Sequence, residues 1–223
     1  MKVFKMLVIT DNNQPLAESL AKRLGLEVFA LRHRVSFDSL SMEQALRKAI
    51  SQQSFPVVIA DQSDNPGGGA PGDSTYALRW LLDHQVQNVA MAIFYDPEVV
   101  QLAIGAGVGA TLSVRLGGKM GPTSGDPIEL AVKVGAVRRN YSHLWPQQDG
   151  DPIKWRAGTI VALYCQGIDI VVSSERCQCF SPCIFEDLVI NPMNKKLLIL
   201  KSTQHFYGAF APIAAEVIYM AAS

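Results

Sequence analysis

The sequence predicts an α/β fold. Its N-terminal half alternates strands and helices in a mainly parallel sheet, and its C-terminal half is a more antiparallel β region. Two observations predict this fold class. Short apolar runs alternate with helix-type patterns up to about residue 110, and strand-like segments then follow one another without helices between them. The first pattern is typical of right-handed βαβ units, which build parallel sheets.

The composition is that of an ordinary globular protein. The chain has 223 residues, of which 48% are hydrophobic and 18% charged, so it can bury a substantial core. We predict one domain over residues 1–223, with an α/β half at 1–110 and a β-rich half at 111–223. Lys plus Arg and Asp plus Glu both number 20, and this balance argues against a nucleic-acid partner that needs a basic face.

The sequence offers no sign of a membrane partner. No apolar run reaches the roughly eighteen residues of a membrane span, and the first ten residues lack the features of a signal peptide. We therefore expect a cytoplasmic protein. The four cysteines are then expected to be reduced thiols.

The N-terminal half is predicted to contain four strands and four helices. The strands are expected at 3–10, 27–31, 56–60 and 88–95. Helices are expected at 15–24 with Gly25 as the stop, at 41–50 with Ser41 as the cap, at 76–83, and from Pro97 onward.

The C-terminal half is predicted to be rich in strands. They are expected at 111–116, 128–138, 159–165, 168–173, 195–201 and 216–220. Gln166 and Gly167 suit a hairpin turn between the third and fourth of these. Residues 140–151 are expected to be irregular and on the surface, and residues 202–212 to form a short helix or loop.

The most unusual stretch is residues 61–75, which reads DQSDNPGGGAPGDST. From Pro66 to Gly72 every residue except Ala70 is Gly or Pro, so the stretch is a loop with a demanding backbone path. It follows a predicted strand, and ligands of parallel sheets usually meet the loops at the carboxyl ends of strands. It is either a plain strand-to-helix connection or part of a binding site. Asp73 or Ser74 is expected to cap the following helix.

The standard phosphate-binding signatures do not fit this sequence. A P-loop ending at Gly118-Lys119 would need Gly in place of Ser113 and Ser or Thr in place of Met120. The glycines of residues 105–110 follow a predicted helix. The glycines of the dinucleotide-binding fingerprint follow a strand, so this segment does not match it.

Several polar residues and glycines are candidates for contacting a substrate or an anion. They are Asp61, Asp64, Asn65, Gly67, Gly68, Gly69, Asp73, Arg115, Lys119, Lys201 and His205. His205 follows a buried-looking strand, as Asp61 does, so the two would share one rim if those strands were parallel neighbours. A structural histidine, held by hydrogen bonds, is the alternative. No catalytic residue is assigned.

Metal ligation by this chain has little support in the sequence. There is no His-x-His or His-x-x-x-His pair. Cys177, Cys179 and Cys183 form C-x-C-x-x-x-C without a matching pair elsewhere. They are either semi-buried thiols or, less in keeping with the spacing, zinc ligands.

Residues 61–75 resemble the signature of the C-terminal domain of the microcystinase C (MlrC) family of metallopeptidase-like proteins. The resemblance spans nearly the whole chain. It continues through RLGGK at 115–119, SGDP at 124–127, the Ser173-Ser174 pair, KSTQHF at 201–206 and FAPIAA at 210–215. The resemblance implies an α/β domain of a zinc-dependent hydrolase. The activity for which the MlrC family is named is hydrolysis of linearised microcystin peptides.

The resemblance also implies that the zinc ligands lie in a preceding domain, which we expect this chain to lack because the sequence begins with a Met at its first predicted strand. We therefore expect no cofactor to be bound by this chain alone, with zinc supplied by a separate metal-binding domain or subunit. The chain would then contribute a glycine-rich half-site and be inactive alone. The alternatives are a non-catalytic small-molecule or anion-binding or oligomerisation module, and a fragment of a longer gene product. A homo-oligomer is also expected, because a face left by a missing domain tends to be covered.

Overall fold

The computed structural model describes residues 5–34 and 39–221, except for the side chain of His33. The chain divides into two compact units at residues 38 and 39, and each is described by itself. No helix in the described ranges is long and apolar enough to cross a membrane.

The first unit contains one long helix, α1, at Gln14–Ala30, followed by a 3₁₀ turn at Leu31–His33. Asn13 caps the helix by accepting a hydrogen bond from Leu16 N. The predicted helix is confirmed, but Gly25 does not end it.

Two strand predictions in this unit are wrong. Residues 27–31 continue the helix and its 3₁₀ turn, and residues 5–10 have no regular structure. Residues 3 and 4 lie outside the described ranges. A strand needs a neighbour for its N–H and C=O groups, and the other described residues of this unit are mainly helical. Val28 and Phe29, which favour strands by type, therefore continue the backbone hydrogen bonds of α1.

The second unit is built on one nine-stranded sheet in the described ranges. The strands are Leu40–Ser41 (β1), Val57–Asp61 (β2), Val89–Tyr95 (β3), Thr111–Leu116 (β4), Ile128–Trp145 (β5), Ile153–Cys165 (β6), Ile168–Ser173 (β7), Leu197–Leu200 (β8) and Glu216–Ala221 (β9). Their order across the sheet is β1-β9-β2-β8-β3-β7-β6-β5-β4.

The predicted mixture of parallel and antiparallel pairing is confirmed. β1, β9, β2, β8, β3 and β7 pair in parallel, whereas β7, β6, β5 and β4 pair antiparallel. The late strands β8 and β9 return to lie beside β2, so the parallel part of the sheet combines both halves of the sequence. Gln166 and Gly167 form the tight turn between β6 and β7, both with positive φ.

Helices of the second unit pack on the faces of the sheet. They are Met42–Ile50 (α2), Tyr76–Asp83 (α3), Pro97–Ala106 (α4), Cys183–Glu186 (α5) and Tyr207–Phe210 (α6). Ser41 and Gln44 form a capping box at the start of α2, and Asp96 caps α4, as their sequence patterns predict.

The alternating side chains of β2 divide the core into two clusters. Val57 and Ile59 pack with buried residues of α2, α3 and α4, whereas Val58 and Ala60 pack with Phe185 of α5 and Phe210 of α6. Because successive strand residues point to opposite faces, every residue of β2 is buried. The loops at its carboxyl end are therefore anchored to a rigid edge.

Residues 140–151 are only partly the irregular surface segment that the sequence predicts. β5 continues to Trp145 and pairs there with Ile153 of β6, so these two strands are longer than predicted. The pairing shifts register between Arg138 and Tyr141, where Asn140 has a positive φ of 50°. That irregularity breaks the alternation of polar and apolar residues on which the prediction depended.

Gly25 offers a test of the helical assignment at the position where a stop is predicted. A Cβ at Gly25 would meet no atom within 4 Å, so Gly25→Ala adds helix propensity without a clash. We expect the free energy of local unfolding of α1 to rise by about 1 kcal/mol. Amide hydrogen exchange in the central turns of the helix should then slow roughly fivefold. Gly105→Ala in α4, also without a close neighbour, is the control and leaves exchange in α1 unchanged. Faster exchange in the Gly25→Ala chain would contradict the helix.

Candidate functional site

The candidate site lies at the carboxyl ends of β2 and β8. These strands are parallel neighbours with Ala60 beside Leu200, so Asp61 and Lys201 leave the sheet side by side. The loops that follow are residues 61–75, here called the glycine-rich loop, and residues 201–206. The predicted condition for placing Asp61 and His205 at one rim, a parallel pairing of their strands, is therefore met.

A buried ion pair joins the two loops. Lys201 Nζ lies 2.7 Å from Asp64 Oδ2 and donates a second hydrogen bond, of 2.9 Å, to the carbonyl of Ser74. The Asp64 carboxylate also accepts the backbone N–H groups of Gly72 and Ser74, each at 2.7 Å. Lys201 is 2% exposed, and its ammonium lies 4.4 Å from the centre of the Phe94 ring. Asp64 and Lys201 thus set the path of the glycine-rich loop.

Asp61 is the least satisfied polar group of this cluster. It is 4% exposed, its Oδ2 lies 3.8 Å from Lys201 Nζ, and its Oδ1 has no hydrogen-bond partner in the described part of the chain. Burial raises the pKa of this carboxyl, and nearby Asp64 raises it further, against the opposing effect of Lys201. Asp61 is thus a carboxyl whose protonated form is favoured by its surroundings.

The backbone N–H groups of residues 67–70, the centre of the glycine-rich loop, are occupied within the loop. Asn65 accepts three of them, and its amide nitrogen donates to Thr203 Oγ1 at 2.8 Å across the rim. The internal bonds run from Gly67 N to Asn65 Oδ1, from Gly68 N and Ala70 N to Asn65 O, and from Gly69 N to Pro66 O. The loop therefore does not form a ready cradle of free N–H groups of the kind that binds phosphate.

Gly67 allows the closest approach between this loop and the rest of the site. A Cβ at Gly67 would overlap the side-chain oxygen of Gln178. Gln178 is buried, donates from Nε2 to Ser202 Oγ at 2.7 Å, and contacts His205 Nδ1 through Oε1 at 3.2 Å. Because Oε1 is an acceptor, His205 carries its proton on Nδ1 when neutral, which leaves Nε2 free of partners in the described chain.

Asp73 connects the glycine-rich loop to the second glycine-rich segment, residues 117–125. Its carboxylate accepts the backbone N–H groups of Lys119 and Met120 at 2.7 and 2.9 Å, and it accepts a short hydrogen bond from the hydroxyl of Ser124. Asp73 is 1% exposed. It holds the two loops together.

The prediction that Asp73 or Ser74 caps the following helix is wrong. Thr75 occupies the cap position of α3 without a side-chain capping bond. Asp73 is drawn instead to the second loop, and the N–H of Ser74 is bound by Asp64. Tertiary hydrogen bonds therefore replace the local cap.

Lys119 and Arg115 do not join the cluster around Lys201. The ammonium of Lys119 pairs with Asp96 at 3.0 Å and with Glu98 at 2.7 Å, which ties the second loop to the start of α4. Arg115 is exposed on β4, opposite Glu129 of β5, in a separate cleft.

An aromatic pocket opens beside the exposed glycines at 67–69, with a volume of about 280 Å³. Pro66 and Gly67 supply the part of its wall that comes from the glycine-rich loop. The remaining wall is contributed by Trp145, Trp155, Arg176, Gln178, Phe180 and His205.

The cysteines are free thiols in protected surroundings. Cys177 and Cys179 are buried, and burial raises the pKa of Cys177 to about 12 and that of Cys179 well above its usual value. Cys183 is half-buried and contacts Ser181 Oγ at 2.9 Å and His143 Nδ1 at 3.5 Å. These surroundings match the semi-buried thiols allowed by the sequence.

The described residues do not provide a metal centre. Among residues 5–34 and 39–221, no group of three or more His, Cys, Asp or Glu side chains is arranged to hold a metal ion. The zinc implied by the sequence resemblance therefore has no ligand set in the described part of the chain.

Fold and site together define an α/β domain with a structured rim of loops at the carboxyl ends of parallel strands. A family model described as "MlrC C-terminus" matches residues 59–223. The chain belongs to this family, as its resemblance predicts.

Microcystinase C of Sphingomonas sp. is 34% identical to this chain over an alignment of 223 positions, which covers 98% of the chain and 43% of the relative. The chain therefore spans less than half of the length of that relative. The fold resembles the crystal structure of a candidate metallopeptidase from Mesorhizobium sp. BNC1, with a TM-score of 0.79 and 22% identity, covering 94% of this chain and 42% of that one.

The pocket contains residues that sequence reasoning missed. Trp145, Trp155, Arg176, Gln178 and Phe180 belong to no motif that suggests binding. Trp145 lies in the segment that the sequence predicts as irregular surface, and Gln178 lies between two buried cysteines. Only the return of β5 and β6 to the rim brings these residues together.

The buried ion pair predicts a large loss of stability when its cation is removed. Lys201→Met leaves the Asp64 carboxylate buried without its cation, and we expect the free energy of unfolding to fall by about 3–5 kcal/mol. Lys48→Met, which breaks an exposed pair with Glu216, is the matched control and should cost less than about 1 kcal/mol. Urea unfolding measures both. Equal losses would show that the buried pair is not a structural anchor.

His143 predicts a pH dependence of stability. Burial lowers the pKa of this fully buried histidine to about 3, and its Nε2 accepts the backbone N–H of Phe180 at 2.8 Å. In the unfolded chain the histidine has a pKa near 6.5 and is protonated below that pH, whereas in the folded chain it stays neutral down to about pH 3. Between about pH 6.5 and pH 3 this histidine should therefore cost stability as the pH falls, by up to about 1.4 kcal/mol per pH unit.

Urea unfolding between pH 4 and pH 7 tests this pH dependence. In His143→Gln, the side-chain oxygen can still accept the N–H of Phe180. We expect its free energy of unfolding to fall less steeply with decreasing pH, by the amount that one histidine contributes. His84→Gln, at an exposed histidine, is the control and should keep the wild-type slope in that window. A His143→Gln chain with an unaltered slope would contradict the buried neutral histidine.

Proposed function

We propose that this chain contributes a substrate-facing half-site to a zinc-dependent peptide or amide hydrolase, with the metal held by a separate domain or subunit. The observation that carries the proposal is the structured rim at the ends of β2 and β8. It is built from the family's motif residues and opens into a pocket, although the described residues offer no metal centre. A rim whose described residues lack a set of metal ligands fits one half of a composite site.

The predicted site residues that lie at this rim divide by exposure into two roles. The buried ones are Asp61, Asp64, Asn65, Asp73 and Lys201, and all of them except Asp61 fix the loops through the hydrogen bonds described above. The exposed ones, the glycines at 67–69 and His205, are the groups that a substrate can reach. Because the loop's N–H groups are used internally, substrate contacts fall to side chains of the pocket.

His205 is the group best placed to hold the substrate. Its Nδ1 is bound to Gln178, and Gln178 is fixed in turn by Ser202, so the ring has a defined orientation. Its Nε2 can accept a hydrogen bond from a peptide N–H or, when protonated, donate one to a carbonyl or carboxylate. In this role His205 positions the scissile amide.

The missing chemistry belongs to the metal-bearing partner. A zinc ion held by that partner would supply polarisation of the scissile carbonyl and activation of water. This chain supplies orientation, since holding a peptide in a reactive geometry is itself a large part of catalysis. The related protein is named Microcystinase C, so linear microcystin peptides are the first substrates to test.

A chimera tests the proposal. We would replace the matching C-terminal part of the Sphingomonas microcystinase C by this chain and measure hydrolysis of linear microcystin peptides with zinc and with a chelator. We expect zinc-dependent cleavage by the chimera and none by this chain alone. His205→Ala in the chimera should lower kcat/KM by about 10- to 100-fold, the loss that follows from removing one hydrogen bond to a charged or polar substrate group.

Controls separate this role from its alternatives. His84→Ala, at an exposed histidine outside the pocket, should leave cleavage unchanged. Full cleavage by the isolated chain would contradict the half-site. A folded, zinc-loaded chimera without activity would favour the non-catalytic binding or oligomerisation module.

A further inference from the structure

The pocket beside the glycine-rich loop has a wall of stacked rings. Trp145 stacks on Phe180 with 5.1 Å between ring centres and 13° between planes. His205 tilts against Trp145 at 4.6 Å, and Trp155 tilts against Phe180 at 5.9 Å. Phe180 is buried, whereas Trp155 is 46% exposed, so the rings run from the core to the open side of the pocket.

The pocket wall contains a positively charged side chain and no negatively charged one. Among the residues that line it, Arg176 is a cation and none is acidic. Arg176 is exposed, its guanidinium lies 5.3 Å from the centre of the Tyr95 ring, and it forms no ion pair in the described part of the chain. The neighbouring acid, Glu175, pairs instead with Arg156 at 2.7 Å. A guanidinium held on an aromatic face keeps its edge free for a carboxylate.

The size of the pocket limits its occupant. Its volume, about 280 Å³, is at the lower end of the roughly 300–1,000 Å³ typical of ligand pockets. It suits one side chain and the adjoining backbone of a peptide better than a large cofactor. Ring walls favour an aromatic occupant, because offset and edge-to-face ring contacts add to the gain from burying apolar area.

We propose that this pocket binds an aromatic side chain of a peptide, with Arg176 binding a carboxylate next to it. The inference deepens the proposed function, on which it rests for the assignment of the peptide as a substrate, by naming the kind of residue held at the rim. Trp145, Trp155 and Phe180 supply the ring contacts. Arg176 supplies the charge, and His205 closes the side nearest the glycine-rich loop.

The experiment measures binding to the chain as it is, with hydrolysis playing no part. Trp80→Phe removes the tryptophan that lies outside the pocket, so the remaining tryptophan fluorescence reports on Trp145 and Trp155. Titration with N-acetyl-phenylalanine should change that fluorescence saturably. N-acetyl-phenylalanine amide, which lacks the carboxylate, should bind roughly tenfold more weakly. Calorimetric titration of the unaltered chain checks both affinities.

Charge recognition is tested by crossing the two ligands with variants. In Arg176→Gln, which alters an exposed side chain, the acid and the amide should bind equally. Arg47→Gln, which removes an exposed guanidinium from α2, should keep the tenfold preference for the acid. Equal affinities in the unaltered chain, or a preference that survives in Arg176→Gln, would overturn the proposal.

Ring recognition is tested with N-acetyl-cyclohexylalanine, which has a similar size but no aromatic ring. We expect it to bind roughly three- to tenfold more weakly than N-acetyl-phenylalanine, with the difference reduced in Trp155→Leu. Failure of every ligand to bind saturably would overturn the pocket proposal even if the chimera cleaves peptides. Binding without cleavage by the chimera would leave the pocket standing and overturn the half-site instead.

Discussion

The contact between Lys201 and Asp64 is the constraint on which the rim depends. It joins the loops that follow two neighbouring parallel strands. Both side chains are buried, so water cannot replace either partner of the ion pair. Asp64 uses its remaining capacity on the N–H groups of Gly72 and Ser74, and Lys201 also binds the carbonyl of Ser74. A segment composed largely of Gly and Pro is flexible by composition, and this pair gives it one path.

The same bonds change what the glycine-rich loop can do. Glycine-rich loops bind anions when their N–H groups point outward, but here those groups are bound to Asn65, Pro66 and Asp64. The glycines serve close approach instead, most clearly at Gly67, where a side chain would overlap Gln178. The loop is thus a supporting wall, and in the proposed site the rings, Arg176 and His205 contact the ligand.

Local sequence patterns succeeded where local physics decides the structure. Ser41 and Asp96 cap their helices as predicted, since a cap depends on residues within one turn. The patterns failed where distant partners compete. Residues 27–31 have strand-forming side chains but no strand beside them, and Asp73 leaves its local cap for N–H groups of a loop 46 residues away. At residues 140–151, a shift in register concealed the continuation of β5.

The sequence by itself determined the fold class, the family and most residues of the rim, because apolar periodicity and a long motif are written in consecutive residues. Only the tertiary structure decided which of those residues are buried supports and which are exposed, since that depends on β8 returning to lie beside β2. The aromatic pocket also belongs to the tertiary structure alone. Its residues come from the glycine-rich loop, β5, β6, the segment after β7 and the loop after β8. These segments are far apart in the sequence and meet only because their strands lie in one sheet.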